Sequence, residues 1–144
     1  GNDYIGYHEI NAYRSDLTHP LQIEDILRRF PKLRIYVMHA GWPMVDEMLL
    51  LMYMHPQVYV DVSMLMTVVP RKEVHRYIKI LVEAGMGTRI MFGTDHAVWP
   101  QIVSESVEAI ESAEFLSEKQ KDDIFFNNAV RFFRLDADKL LNKN

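Results

Sequence analysis

Apolar positions along the chain follow two periods in turn. From Pro20 onward, Ile23, Ile26, Leu27 and Phe30 fall on one face of a helix, which Pro20 opens and Pro31 stops. Leu33 to Met38 abandons that spacing for a short apolar run rich in strand formers. His39-Ala40-Gly41-Trp42 follows as a turn, and Pro43 opens a second helix reaching about His55. Gln57 to Val62 predicts a second strand. The helix between Pro70 and Gly85 then carries Val74, Ile78, Leu81 and Val82 as its buried stripe. Arg89 to Gly93 predicts a third strand, with Thr94-Asp95-His96 at its C-terminal end. Two helices follow Pro100. The second opens with Ser117-Glu118-Lys119-Gln120, a capping box in which serine and glutamine satisfy each other's backbone donors. It places Phe125, Ala129 and Phe132 on one face. Residues 1–19 keep no period and read as an extended loop, and residues 136–144 read as a tail.

Strand–helix alternation over residues 20–135 implies parallel strands joined by right-handed crossovers, so the class is α/β and residues 1–144 form a single domain. The near-continuous apolar strands suit a sheet covered on both faces. Strand starts at 33, 57 and 89 have the spacing of βα repeats. With 144 residues the chain falls short of the roughly 200 that a complete (β/α)8 barrel needs. An apolar content of 49% supports a core and argues against disorder. Twenty acidic against 16 basic residues argue against a nucleic-acid grip, which wants a basic surface. Absence of cysteine removes disulfides, thiolate chemistry and cysteine zinc fingers. No apolar run has the length of a membrane span, and Gly1-Asn2-Asp3-Tyr4 does not read as a signal peptide. The expected partner is a small-molecule substrate, not nucleic acid or a membrane, and the expected compartment is cytoplasmic.

Parallel α/β architectures collect their reactive groups beyond the C-terminal ends of the strands. Those positions hold His39, the stretch Asp61 to Ser63, and Asp95. Small neighbours, Ala40-Gly41 after the histidine and Gly93-Thr94 before the aspartate, allow a metal or substrate close approach. Strand alternation would turn Ile35 and Val37 to the same side as His39, and Met91 and Gly93 to the side of Asp95, so both sets would line a barrel interior. An imidazole and a carboxylate on such a rim suit Zn²⁺ or a similar divalent ion, with Asp95 as ligand and proton acceptor and His39 as ligand or general base. Structural roles compete at each position. In these alternatives His39 ends its strand as a hydrogen-bonded residue, Asp95 caps the following helix, and Asp61 pairs with a loop donor. Trp42 and Trp99 each precede a proline after a strand and either wall a substrate pocket or pack the loop onto the rim. The echo of His39-Ala40-Gly41-Trp42-Pro43 in His96-Ala97-Val98-Trp99-Pro100 makes His96 an alternative ligand or substrate contact. His8, His19, His55 and His75 read as loop or helix-surface residues. No dinucleotide, P-loop or serine-hydrolase signature occurs, and neither Ser63 nor Ser104 has a base partner evident from spacing.

Four stretches in order, Pro31 to Gly41, Val58 to Ser63, Arg89 to Asp95, and Asn127 to Phe133, resemble the C-terminal half of the amidohydrolase superfamily. The nearest branch holds metal-dependent hydrolases and decarboxylases related to aminocarboxymuconate-semialdehyde decarboxylase. The resemblance implies a (β/α)8 TIM barrel of which this chain carries the last three βα units, strands six to eight. It implies that His39 is the strand-six acid/base or ligand, and that Asp95 is the strand-eight metal ligand and water-activating base. The substrate would be a small organic acid, lactone or amide. The His-x-His pair of strand one and the histidine of strand five have no counterpart here. The chain is therefore expected to self-associate or to join a missing N-terminal half, and to be silent alone. The alternative is a non-catalytic α/β binding or assembly domain.

Overall fold

The three apolar runs pair into one parallel sheet of order β1-β2-β3. The computed structural model describes residues 15–95 and 100–142. The strands are β1 (Ile35–Val37), β2 (Val58–Asp61) and β3 (Ile90–Met91), each shorter than its apolar run. Their flanks leave the ladder for turns: Met38–Gly41 after β1 and Gly87–Arg89 before β3.

Register decides which side chains share a face. Ile35 lies beside Val58, Val37 beside Val60, and Val60 beside Ile90. That row packs into one core with two helices. Helix α2 (Val45–Met54) contributes Met48, Leu51 and Met52, and α4 (Arg71–Glu83) contributes Val74, Tyr77, Ile78 and Leu81. Tyr77, not Val82, completes the α4 stripe. Its ring meets the i, i+3, i+4, i+7 spacing, and Val82 is only partly buried. Gly85 ends α4 at φ +83° in a Schellman motif, with Met86 N donating to Leu81 O and Gly85 N to Val82 O, both at 2.9 Å.

Helix α1 (Glu24–Arg29) departs most from its sequence pattern. Its predicted stripe buries Leu27, whereas Ile26 is 46% and Phe30 59% exposed. The segment opens as a 3₁₀ turn, Pro20–Ile23, whose tighter winding shifts the phase, and Phe30 has already left helical geometry.

A short α3 (Leu65–Val68) follows β2, and α5 (Gln101–Glu111) follows β3. The capping box at Ser117 forms as expected and starts α6 (Glu118–Asp122). One turn of π-helix, Asp123–Asn127, runs on into α7 (Asn128–Phe133). Buried Asn128 fastens α7 to the start of β3, donating from Nδ2 to Gly87 O at 2.9 Å and Ile90 O at 2.6 Å. Phe132 packs edge-on against Tyr36 and Tyr59, which lie on the sheet face opposite Val58 and Val60. Arg89, just before β3, donates from Nη1 to Met52 O, His55 O and Val58 O, tying the end of α2 to β2. Within the stretch read as a tail, α8 (Ala137–Leu141) forms, capped by Asp136. Residues Ser15–Thr18, in the stretch read as an extended loop, make a 3₁₀ turn. No helix among the described residues is long and apolar enough to cross a membrane.

Candidate functional site

Parallel pairing puts the residues after β1, β2 and β3 at one pole, and a network of short hydrogen bonds links two of these connections. β2 ends in Asp61, whose Oδ1 accepts from Ser63 N at 3.0 Å and from Ser63 Oγ at 2.5 Å. This is the local turn that an aspartate makes with the residue two places on. The same oxygen reaches across to β1 and accepts from His39 N at 3.1 Å. All three residues are buried.

The β1 connection takes an unusual path. His39, Ala40 and Gly41 stand at φ +57°, +49° and +65°, so two residues with side chains occupy left-handed backbone. Such residues cost on the order of 1–3 kcal/mol each and persist only where their surroundings over-determine them. Here the surroundings do. Asp61 holds the His39 amide, Trp42 N donates to His39 O at 2.9 Å, and Tyr77 Oη donates to Ala40 O at 2.8 Å. A Cβ at Gly41 would fall 2.6 Å from the Met48 side chain.

This left-handed path overturns the expected side-chain alternation. Ile35 and Val37 pair with fully buried Val58 and Val60 and face the helix layer, not a common interior with His39. The positive φ values turn the imidazole toward β2 instead. His39 Nδ1 lies 2.9 Å from Ser63 O and 3.2 Å from Ser63 Oγ. Since the hydroxyl proton goes to Asp61, both Ser63 atoms present lone pairs to Nδ1. That nitrogen therefore donates, as assigned from its partners. Ser63 does have a histidine partner, contrary to the reading from spacing. Its hydroxyl is committed to a carboxylate, which is not the geometry of a serine nucleophile.

The β3 connection approaches the same network. A Cβ at Gly93 would lie 3.0 Å from Ser63 Cβ, so a side chain here would have to push Ser63 aside by a few tenths of an ångström. Two residues on, Asp95 is exposed, at φ +52°. Asp95 does not cap the next helix, because α5 begins at Gln101 behind Pro100. Met91 pairs with Asp61 on the face opposite the helix layer, and so does not share one interior with Ile35 and Val37.

Trp42 is partly buried against the core, and His96 and Trp99 lie outside the described residues. Three other histidines have local roles. His19 Nδ1 accepts from Leu21 N, His55 Nε2 meets Glu24 Oε1 at 3.2 Å, and His75 Nε2 donates to Ala109 O at 2.8 Å. Among the described residues no group of three or more His, Cys, Asp or Glu stands close enough to hold a metal ion. Sequence reasoning placed Ser63 at a strand end without a partner, and passed over Tyr77. The aspartate-x-serine pattern at a strand end signals the first, and nothing local signals the second.

A family model described as Amidohydrolase matches residues 7–135. Among curated proteins, Protein fluG of Emericella nidulans is 20% identical over 147 aligned residues, covering 92% of this chain and 17% of that protein. An uncharacterized TIM-barrel protein of Bordetella bronchiseptica is similar in structure, with TM-score 0.68, 22% identity, and coverage of 83% of this chain and 40% of that one. The 5-carboxyvanillate decarboxylase LigW of Sphingomonas paucimobilis has TM-score 0.60 and 20% identity, over 81% of this chain and 38% of its own. An amidohydrolase of Burkholderia multivorans with bound zinc has TM-score 0.55 and 19% identity, over 79% and 48%. At these identities the solved neighbours speak to the fold, a portion of a TIM barrel. The chain spans less than half the length of each relative.

Proposed function

Because the chain belongs to the amidohydrolase family, we propose that it supplies one side of a hydrolase or decarboxylase site at a barrel rim, working on a small organic acid, lactone or amide. In this reading β1, β2 and β3 are strands six, seven and eight. The remaining strands come from preceding chain or from a second copy. The exposure of Tyr36 (40%) and Met38 (50%) supports this, since among the described residues β1 is an edge strand with one neighbour in the sheet.

The observation that carries the reading is the His39 imidazole, held through Nδ1 at the pole where Asp95 also emerges. With Nδ1–H fixed on Ser63, Nε2 is the atom that takes a proton from a substrate or water and returns it. Asp95 offers an exposed carboxylate as a second proton acceptor. A metal is the family's common cofactor, and the donor types here suit zinc. Their number does not, because one imidazole and one carboxylate fall short of the three or four protein ligands of a tight site. No step is written through an ion for this chain alone. Completing the shell belongs to the rest of the barrel.

Equilibrium dialysis against increasing zinc, with cobalt as a spectroscopic substitute, tests the placement of the pair. Weak uptake near one equivalent is expected in the wild type, and both His39→Ala and Asp95→Ala should abolish it. Uptake insensitive to either substitution overturns the assignment. No uptake in any of the three proteins favours a non-catalytic α/β binding or assembly domain.

A further inference from the structure

We propose that Asp61 and Ser63 are positioning residues that impose one tautomer on His39, with the proton on Nδ1 and the lone pair on Nε2. The consequence for catalysis rests on the reading of His39 as the proton carrier, but the tautomer itself can be measured without any activity.

The proposal follows from the direction of three bonds. Asp61 Oδ1 is 2.5 Å from Ser63 Oγ, and a carboxylate only accepts, so the hydroxyl proton points at Asp61. Ser63 Oγ then meets His39 Nδ1 at 3.2 Å as an acceptor, beside Ser63 O at 2.9 Å. The donors line up in one sense, from Nδ1–H to Oγ–H to carboxylate. Reversing the chain would leave the buried carboxylate without its hydroxyl donor. Two further bonds keep the members in place, because the same Oδ1 accepts from the amides of His39 and Ser63. Asp61 thus acts on the imidazole through Ser63, without needing contact with substrate.

Long-range ¹H–¹⁵N correlation of the ¹⁵N-labelled chain near pH 8 reads both ring nitrogens, with His39→Gln supplying the assignment. The wild type is expected to show pyrrole-type Nδ1 and pyridine-type Nε2, with the two tautomers at least about ten to one. Ser63→Ala keeps the backbone carbonyl but loses the hydroxyl acceptor and should lower the ratio about fivefold. Asp61→Asn retains an acceptor oxygen without the charge and should fall between the two. A wild type dominated by Nε2–H, or a ratio unchanged in both variants, overturns the proposal. Zinc uptake that fails while the tautomer shift holds removes the functional reading and leaves this one standing. The converse result removes only the positioning role.

Discussion

Replacing Tyr77 by Phe removes one oxygen atom and tests whether the His39 turn depends on a distant helix. Tyr77 is fully buried on α4, and its hydroxyl donates to Ala40 O at 2.8 Å. Ala40 is itself fully buried, so its carbonyl has no access to water once the phenol is gone. Stranding a buried acceptor costs about 1–3 kcal/mol, whereas the change of ring alone conserves shape and apolar area. A loss of about 2 kcal/mol is expected, read as a lower urea midpoint at unchanged slope and a melting temperature about 6–8 °C lower. Alkaline pH supplies an independent arm. Burial, reinforced by the negative charge of Glu47, pushes the Tyr77 hydroxyl well above the ordinary tyrosine range. The folded state therefore holds a proton that the unfolded chain releases near pH 10. Stability from this group is complete below that pH and declines above it, by at most about 1.4 kcal/mol per pH unit. Tyr77→Phe should lack this decline. A midpoint shift below about 0.5 kcal/mol, together with an unchanged alkaline limb, would refute the role given to the hydroxyl.

Two further outcomes concern the C-terminal helices. Burial raises the Asp123 carboxyl, but hydrogen bonds from Lys119 and Asn127 and the charges of Lys119 and Arg131 outweigh it and leave the group below its usual range. Its stabilisation is present above about pH 4 and disappears as pH falls through the depressed value. Asp123→Asn should melt lower at pH 7, and its melting curve should converge with that of the wild type near pH 2; parallel curves from pH 7 to pH 2 would contradict this. Arg134 ends α7 at φ +55° and is exposed, with Leu135 N donating to Val130 O at 3.0 Å in the manner of a glycine cap. Arg134→Gly relieves about 1–2 kcal/mol of left-handed strain and adds about 0.5–1 kcal/mol of chain entropy cost, for a net gain of about 0.5–1 kcal/mol in urea unfolding. A loss of stability would show that the arginine side chain matters more than its backbone.

The fold was legible where a single period governs a segment. Helix α4 shows this, since Val74, Ile78 and Leu81 of its stripe, its opening behind Pro70 and its close at Gly85 all lie in one contiguous pattern. The capping box at Ser117 is equally local. Legibility failed where two geometries meet. The 3₁₀ turn ahead of α1 shifted the phase by a fraction of a turn, enough to move Ile26 and Phe30 into solvent. The π-helical turn at Asp123–Asn127 inserts a comparable shift, and its partners, Phe92 and the start of β3, are far away in sequence.

The site was legible in its residue types and not in its wiring. His39 and Asp95 stand out because strand ends are where polar groups interrupt apolar runs. The alternation rule that would orient them assumes extended backbone up to the last residue. Left-handed φ at His39 and Ala40 breaks that assumption, and its cause lies in three residues from other elements: Asp61, Ser63 and Tyr77. Asp61 and Ser63 are visible in one dimension as polar groups at a strand end, but their partners are not, and Tyr77 is a polar tip inside an apolar helix stripe. Together they turn an imidazole that simple alternation would aim along the Ile35–Val37 face toward the pole where Asp95 emerges. The strained turn and the proton order around His39 therefore share one participant, the Asp61 carboxylate, whose Oδ1 accepts from both the His39 amide and the Ser63 hydroxyl. A change there is expected to disturb backbone and tautomer together, while a change at Tyr77 disturbs the backbone alone.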